Sequence, residues 1–348
     1  MSRNNVLKVP GDFPSVGQAL NAARPGDVIH VASGTYRERI EVTTSDLTLE
    51  AEDGVIIEID DSLFSESDRV PGGSTFVPGW VVGVRGRGKN LAPVDKYVER
   101  VSMIGFTFRH SGTSAAAVGV HAARDCRISG NRIFTSGAGG ISIHSNTLRL
   151  EVDNNVISRA PNLPSSKPGS NGIAFAEFAF NTTPEWRSPS RNVSIHHNQI
   201  NGLRFAMTLQ GIEGGSVMHN ECVSNVQGLH IAGVKGVDIS WNVTNDSGPD
   251  LTSPGGSKVK AAGLVVQNLS STVIAHNTST RNSSGFFLKA DSDFLIANGY
   301  PASIDLNVHH NDFEGNTLAW AFDDAMFPPL EGIRFDKNVP EIPAKASA

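Results

Sequence analysis

Apolar residues recur along the chain in short runs that close on an asparagine. The runs are Ile128-Ser129-Gly130-Asn131, Val152-Asp153-Asn154-Asn155, Ile195-His196-His197-Asn198, Val217-Met218-His219-Asn220, Ile239-Ser240-Trp241-Asn242, Ile274-Ala275-His276-Asn277 and Val308-His309-His310-Asn311, with Phe335-Asp336-Lys337-Asn338 as a degraded last copy. Asn131 to Asn155 is a step of 24 residues, and Asn198 to Asn220 and Asn220 to Asn242 are steps of 22. A period in the low twenties is that of one β-solenoid turn, and the longer steps are one turn plus an inserted loop. An asparagine at one bend of every coil can pass amide hydrogen bonds up and down the stack, satisfying backbone groups that the bend leaves without partners. His197, His219, His276 and His310 precede the ladder asparagine, a place that Trp241 fills in another coil. They are expected to be stacked turn residues and not metal ligands.

A second strand per coil alternates with period two: Gly140-Ile141-Ser142-Ile143-His144, Gly172-Ile173-Ala174-Phe175-Ala176, Ala206-Met207-Thr208-Leu209-Gln210, Gly228-Leu229-His230-Ile231-Ala232, Gly263-Leu264-Val265-Val266-Gln267 and Gly285-Phe286-Phe287-Leu288-Lys289. Alternation puts Ile, Phe, Leu and Val inside and the intervening residues outside. Ahead of the coils, residues 13–23 suit a short amphipathic helix closing the open end of the stack. The expectation is one all-β domain, a right-handed parallel β-helix. Residues 1–27 form its cap and 28–338 its coils, with insertions near 62–80, 160–170, 177–190, 245–260 and 290–302, and 339–348 form a tail.

Composition supports this: 35 Gly and only 18% charged residues favour short strands and tight turns. A net charge of −6 gives no footprint for nucleic acid or an anionic membrane. No apolar stretch reaches spanning length, and none of leader length follows the N-terminal residues. The chain as given reads as a soluble cytoplasmic protein, or a secreted one if a leader was removed. Cys126 and Cys222 lie in different coils without a metal-ligand spacing and are expected to be buried free thiols.

The segment Ala23-Arg24-Pro25-Gly26-Asp27-Val28-Ile29-His30-Val31, followed by Gly34-Thr35-Tyr36 and then the repeats, resembles the opening of the pectate-lyase-like β-helix superfamily. The resemblance spans about Val9 to Asn338. It implies the fold and, for function, an enzyme of carbohydrates. Its reaction-specific motifs are not matched, so no catalytic residue is carried over.

Stacked in register, the outward residues of the second strand form columns about 4.8 Å apart per coil. One holds Arg85, His121, His144, Ala176, Gln210, Ala232, Gln267 and Lys289; the next holds Gly83, Gly119, Ser142, Ala174, Thr208, His230, Val265 and Phe287. Long insertions beside these strands suggest a walled groove. Candidate catalytic groups are His144, Glu177, His230, Lys289 and Asp291, since His, Lys or Glu can move a proton once burial tunes its pKa. Candidate binders are Arg85, His121, Gln210, Gln267, Trp186, Arg187 and Tyr300. The leading expectation is proton abstraction next to a carboxylate in an acidic poly- or oligosaccharide, as in a lyase or C5-epimerase. The alternatives are a glycoside hydrolase using Glu177 and Asp291, a cyclase or isomerase of small molecules, and a non-catalytic sugar-binding solenoid. No cofactor motif is present; calcium through Asp291 and Asp293 is the one metal option. The oligomeric state is not readable.

Overall fold

The computed structural model describes residues 5–63, 79–83, 97–111, 116–135, 139–144, 146–161, 169–175, 189–252, 258–297, 299–300, 302–323 and 332–342. The chain winds as a parallel β-helix with three strand-bearing faces per coil, here termed sheets A, B and C. Sheet A begins at Ile40–Val42 and Trp80–Gly83 and continues through Ala116–His121, Gly139–Ile143 and Gly169–Phe175. In the middle coils single long strands, Leu203–Met218, Gln227–Ser240 and Ala262–Ala275, run through sheet A and bend into sheet B. Sheet C stacks eight strands from Gly34–Tyr36 to Val243–Asn245, and single bridges at Thr278, Asp312 and Val339 continue it.

The ladder asparagines stand at the turn from sheet B to sheet C, all buried. Each amide nitrogen donates to the next asparagine oxygen at 2.9–3.0 Å, from Asn131 through Asn155, Asn198, Asn220, Asn242, Asn277 and Asn311 to Asn338. The residue before each ladder position is left-handed, with φ between 50° and 60° at Asn154, His197, His219, Trp241, His276, His310 and Lys337. A second, shorter series that the sequence repeat did not disclose, Asn225, Asn282 and Asn316, closes the corner between sheets C and A.

The core is filled as the alternation predicts. Ile141, Ile173, Met207, Leu229, Leu264 and Phe286 of sheet A are at most 1% exposed. The glycine that precedes the inward residue in all of these strands but that of Met207, where Ala206 stands, is explained by the narrow corner it occupies. A Cβ on Gly228 would stand 2.5 Å from the Gly263 carbonyl oxygen and 2.7 Å from Thr244 Cβ. Because one of those atoms is backbone, the coil itself must move. Gly228→Ala is expected to cost about 3 kcal/mol, readable as a lowered urea midpoint.

The N-terminal cap differs from expectation. Val6–Val9 pairs in parallel with Val28–Val31, so a strand of the stack already precedes the helix. The helix itself, Val16–Ala22, falls within the predicted 13–23. The Glu38 carboxylate accepts from the amides of Val16 and Gly17, both at 2.9 Å, and Ser15 Oγ accepts from Gln18 N. Negative charge at free helical amides is favourable. Cys126 and Cys222 are both free and buried, and burial pushes the Cys126 thiol up to about 11.

Candidate functional site

The outward residues of sheet A follow the predicted columns over most of the stack. Gly119 pairs with Ser142, Ser142 with Ala174, Ala174 with Thr208, Thr208 with His230, His230 with Val265 and Val265 with Phe287. Gln210 pairs with Ala232, and Ala232 with Gln267, as expected. The first coil departs from the prediction by two residues: Gly83 is the partner of His121, and Val81 that of Gly119. Arg85 is therefore not the rung beside His121. The alternation there, Val81-Val82-Gly83, has no polar residue to fix its phase, and only the ladder does so.

This outward face is itself shielded from solvent. His121, Ser142, Ala174, Val265 and Phe287 are all under 9% exposed, and Ala262, Val265 and Phe287 with Ala321 form an apolar cluster separate from the core. Two polar groupings stand on it. In the first, the His121 and His144 rings lie edge to face at 5.9 Å, and Ser142 Oγ is 3.4 Å from His144 Nε2. In the second, the His230 ring lies 5.8 Å from Phe205. The Arg204 guanidinium sits over Phe205 at 5.0 Å, and the Lys260 ammonium over Phe287 at 4.9 Å. Three rungs separate the coils of His144 and His230, roughly 14 Å at the usual strand spacing. The predicted residues thus fall into two groups on the outward face of sheet A, with Thr208 and Gln210 between them. Phe205, Arg204 and Lys260 have no place in the predicted columns: Arg204 and Phe205 precede the alternating segment that begins at Ala206, and Lys260 ends the 245–260 insertion. The insertion contains a small hairpin, Leu251–Thr252 against Lys258–Val259, and it returns into the start of a sheet A strand. The exposed Lys260 thereby comes to stand over Phe287.

Burial sets the protonation of the three histidines. It pulls His121 down to about 4. His144 falls to about 3 through burial and the neighbouring His121, and His230 to about 4 through burial and the positive charge of Lys289. All three imidazoles are neutral at neutral pH. The Nδ1 atoms of His121 and His230 and the hydroxyl of Thr208 are buried with no hydrogen-bond partner among the described residues. Such atoms are rare in folded proteins, and three of them belong to the strands of sheet A.

His110 is depressed to about 4 by burial as well. An unfolded chain therefore binds more protons than the native one between pH 6.5 and about 4. Stability contributed by these four neutral histidines is present above pH 6.5 and is lost as pH falls through that window. The expected slope is at most ~1.4 kcal/mol per pH unit for each. A fall in melting temperature between pH 7 and pH 5, ahead of carboxylate titration, checks this.

Asp291 has a different setting from the one its sequence position suggests. Its carboxylate accepts from the Ser303 hydroxyl at 2.6 Å, the Ser303 amide at 2.9 Å and the Asn268 amide at 3.2 Å. These bonds tie down the insertion that carries the short helix Asp293–Ala297. Gln267 Nε2 donates to the Ala290 carbonyl at 2.5 Å and serves the same anchoring. Tyr300 lies in that insertion, where its backbone amide donates to Leu295 O. Glu177, Arg85, Trp186 and Arg187 lie outside the described residues. A separate cleft of about 460 Å³ opens at the end of sheet C, lined by Glu58, Asp60, Arg109, His110 and Phe134 among others; none of the predicted site residues line it. Among the described residues no helix is long and apolar enough to cross a membrane.

Comparison with known proteins bears on the fold. No family model and no curated protein sequence matches the chain. Solved structures do. The endo-xylogalacturonan hydrolase of Aspergillus tubingensis superposes with a TM-score of 0.53 at 12% identity, over 96% of this chain and 92% of that one. The A-module of a mannuronan C-5 epimerase from Azotobacter vinelandii does so with a TM-score of 0.52 at 13% identity, again over 96% and 92%. A periplasmic alginate epimerase gives 0.51 at 13% identity, over 90% and 76%. At such identities the likeness establishes the architecture, a right-handed parallel β-helix.

Proposed function

We propose that the chain is a carbohydrate-active enzyme that binds an acidic sugar chain along sheet A and abstracts the proton next to its carboxylate, with elimination or C5 epimerisation as the outcome. The observation that carries this reading is the second grouping. His230 is neutral, and its Nδ1 has no hydrogen-bond partner among the described residues. Lys289 is near enough to depress it, and Phe205 and Phe287 supply apolar faces beside Arg204 and Lys260. A uronate carboxylate between Lys289 and Lys260 is neutralised, which acidifies the adjacent C–H. The same carboxylate offsets the cationic field on His230 and raises its basicity toward the value proton transfer needs. His230 takes the proton. In elimination the resulting imidazolium protonates the departing glycosidic oxygen; in C5 epimerisation the carbon is reprotonated from the opposite face by a second donor, and His230 keeps the proton it removed until it is released to water. Phe faces suit the apolar side of a pyranose ring, and the His121 and His144 pair, about three rungs away, belongs to a further subsite.

The polysaccharide hydrolase and the two epimerases named above share this architecture, which suits the reading without fixing the reaction. A hydrolase using Asp291 is less favoured, since that carboxylate is occupied in holding Ser303 and Asn268. The test is incubation with alginate, polygalacturonate and glycosaminoglycan uronates in D₂O. Elimination gives ultraviolet absorbance of unsaturated ends, and epimerisation gives deuterium at C5 by NMR. Neither signal on any uronate polymer overturns the proposal.

A further inference from the structure

The turn between sheets B and C carries a row of rings on the outside of the coil, away from sheet A. His197 and His219 stack at 5.1 Å, His219 and Trp241 at 6.2 Å, Trp241 and His276 at 4.3 Å and 5°, and His276 and His310 at 5.0 Å. Stacking explains the row but not a feature at its C-terminal end. There the His309 and His310 rings are nearly perpendicular, and their Nδ1 atoms face each other at 2.9 Å. His276, one coil earlier, brings a ring nitrogen so close that one ligand atom from each of the three lies within 4.8 Å of the others.

We infer that His276, His309 and His310 form a binding site for a divalent transition metal ion such as zinc, clamping two consecutive coils together. Two imidazole nitrogens bound to one ion at about 2.0–2.1 Å stand about 2.9–3.4 Å apart at angles of 90–109°. The Nδ1 pair already has that spacing. One hydrogen bond between the rings accounts for the pair and stacking on His310 for the nearness of His276, and together they bring one nitrogen of each ring within reach of a single ion. Three neutral imidazoles select zinc, copper or nickel over calcium or magnesium, which prefer oxygen. In strand register with His309 is Asp336 of the following coil, which adds negative charge beside the cation. The pair His196 and His197 meets in the same way, with Nδ1 atoms 3.0 Å apart, but His196 Nε2 is engaged by Glu151, and no third ligand converges there among the described residues. The backbone is prepared in advance, because the left-handed φ of His276 and His310, 55° and 52°, is fixed by the Asn ladder that follows them. The inference does not depend on the chemistry of the groove.

The experiment is calorimetric titration of the chelator-stripped full chain with Zn²⁺, together with Cu²⁺ quenching of tryptophan fluorescence. Expected are one tight equivalent of Zn²⁺ and a rise in melting temperature on binding, with Cu²⁺ quenching that is lost in Trp241→Phe because that indole lies against His276. His309→Ala and His310→Asn should each weaken Zn²⁺ at least tenfold, whereas His197→Asn should leave the tight equivalent in place. Asparagine tolerates the left-handed turn, as Asn154 does in another coil, so His310→Asn separates loss of a ligand from loss of fold. Absence of a tight equivalent up to millimolar Zn²⁺ overturns the site, as does an equivalent that survives His309→Ala and His310→Asn unchanged.

Discussion

Replacement of His230 by alanine is expected to lower kcat on a uronate polymer by about 10²- to 10⁴-fold, the usual contribution of a positioned general base, with the fold retained. The fold should persist because the ring lies on the outward face of sheet A and Nδ1 has no partner to lose among the described residues. Lys289→Ala should act differently: KM rises because the carboxylate loses a cation, and kcat falls because the proton to be removed is less acidic. The pH profile is the sharper readout. In the free enzyme His230 sits at about 4, so the acid limb of kcat/KM should lie well below pH 6.5. The limb of kcat belongs to the complex, where the substrate carboxylate has raised the imidazole, and it should lie higher. Coincident limbs, or a His230→Ala variant with normal kcat, would remove His230 from the mechanism.

The largest expected effect on stability lies in the ladder. Asn220 is 1% exposed. Its amide nitrogen donates to Ile195 O at 2.9 Å, Met218 O at 3.0 Å and Asn242 Oδ1 at 2.9 Å, while its oxygen accepts from the Asn198 amide and side chain at 3.0 and 2.9 Å. Alanine leaves several of those partners buried and unsatisfied, and each such group costs about 1–3 kcal/mol. Asn220→Ala is therefore expected to destabilise by about 4 kcal/mol, seen as a lower urea midpoint. Asn220→Asp should do no better, because a carboxylate cannot donate to Ile195 O or to the next asparagine oxygen. Asn338→Ala should cost less. Its oxygen accepts from the Asn311 amide and side chain at 3.0 and 2.9 Å, but its nitrogen donates only to Val308 O at 2.9 Å, with no further ladder asparagine among the described residues. Equal costs at Asn220 and Asn338 would argue that the ladder bonds do not set stability.

Both predictions begin from features with very different visibility in the sequence. The ladder asparagine was legible because one coil repeats its demand on the next: every bend between sheets B and C needs the same amide, so the residue recurs at a fixed phase. The same holds for the rings beside it, which stack as the alignment predicts, and for the inward Ile, Met and Leu of sheet A. Outward positions carry no such periodic demand. His121, His144, Gln210 and His230 could be placed in columns, because the inward residues fix the phase of their strands. Arg85 could not, since the Val-Val-Gly at 81–83 is equally apolar in either phase and only pairing of Gly83 with His121 decides it.

By itself, then, the sequence determined the solenoid, its coil length and the ladder that closes each bend, because those follow from short-range repetition and from the need to satisfy buried backbone groups. Only the tertiary structure decided what shares the groove. Lys260 and Phe287 are distant in sequence and meet because an inserted hairpin returns to the start of a strand. Asp291 is drawn away from the groove chemistry by Ser303, twelve residues on. His309 and His310 gain a third nitrogen from His276 because the stack places one coil directly upon another. Repetition writes the fold locally, while a site is written by insertions and by contacts between coils, and these leave no period to read.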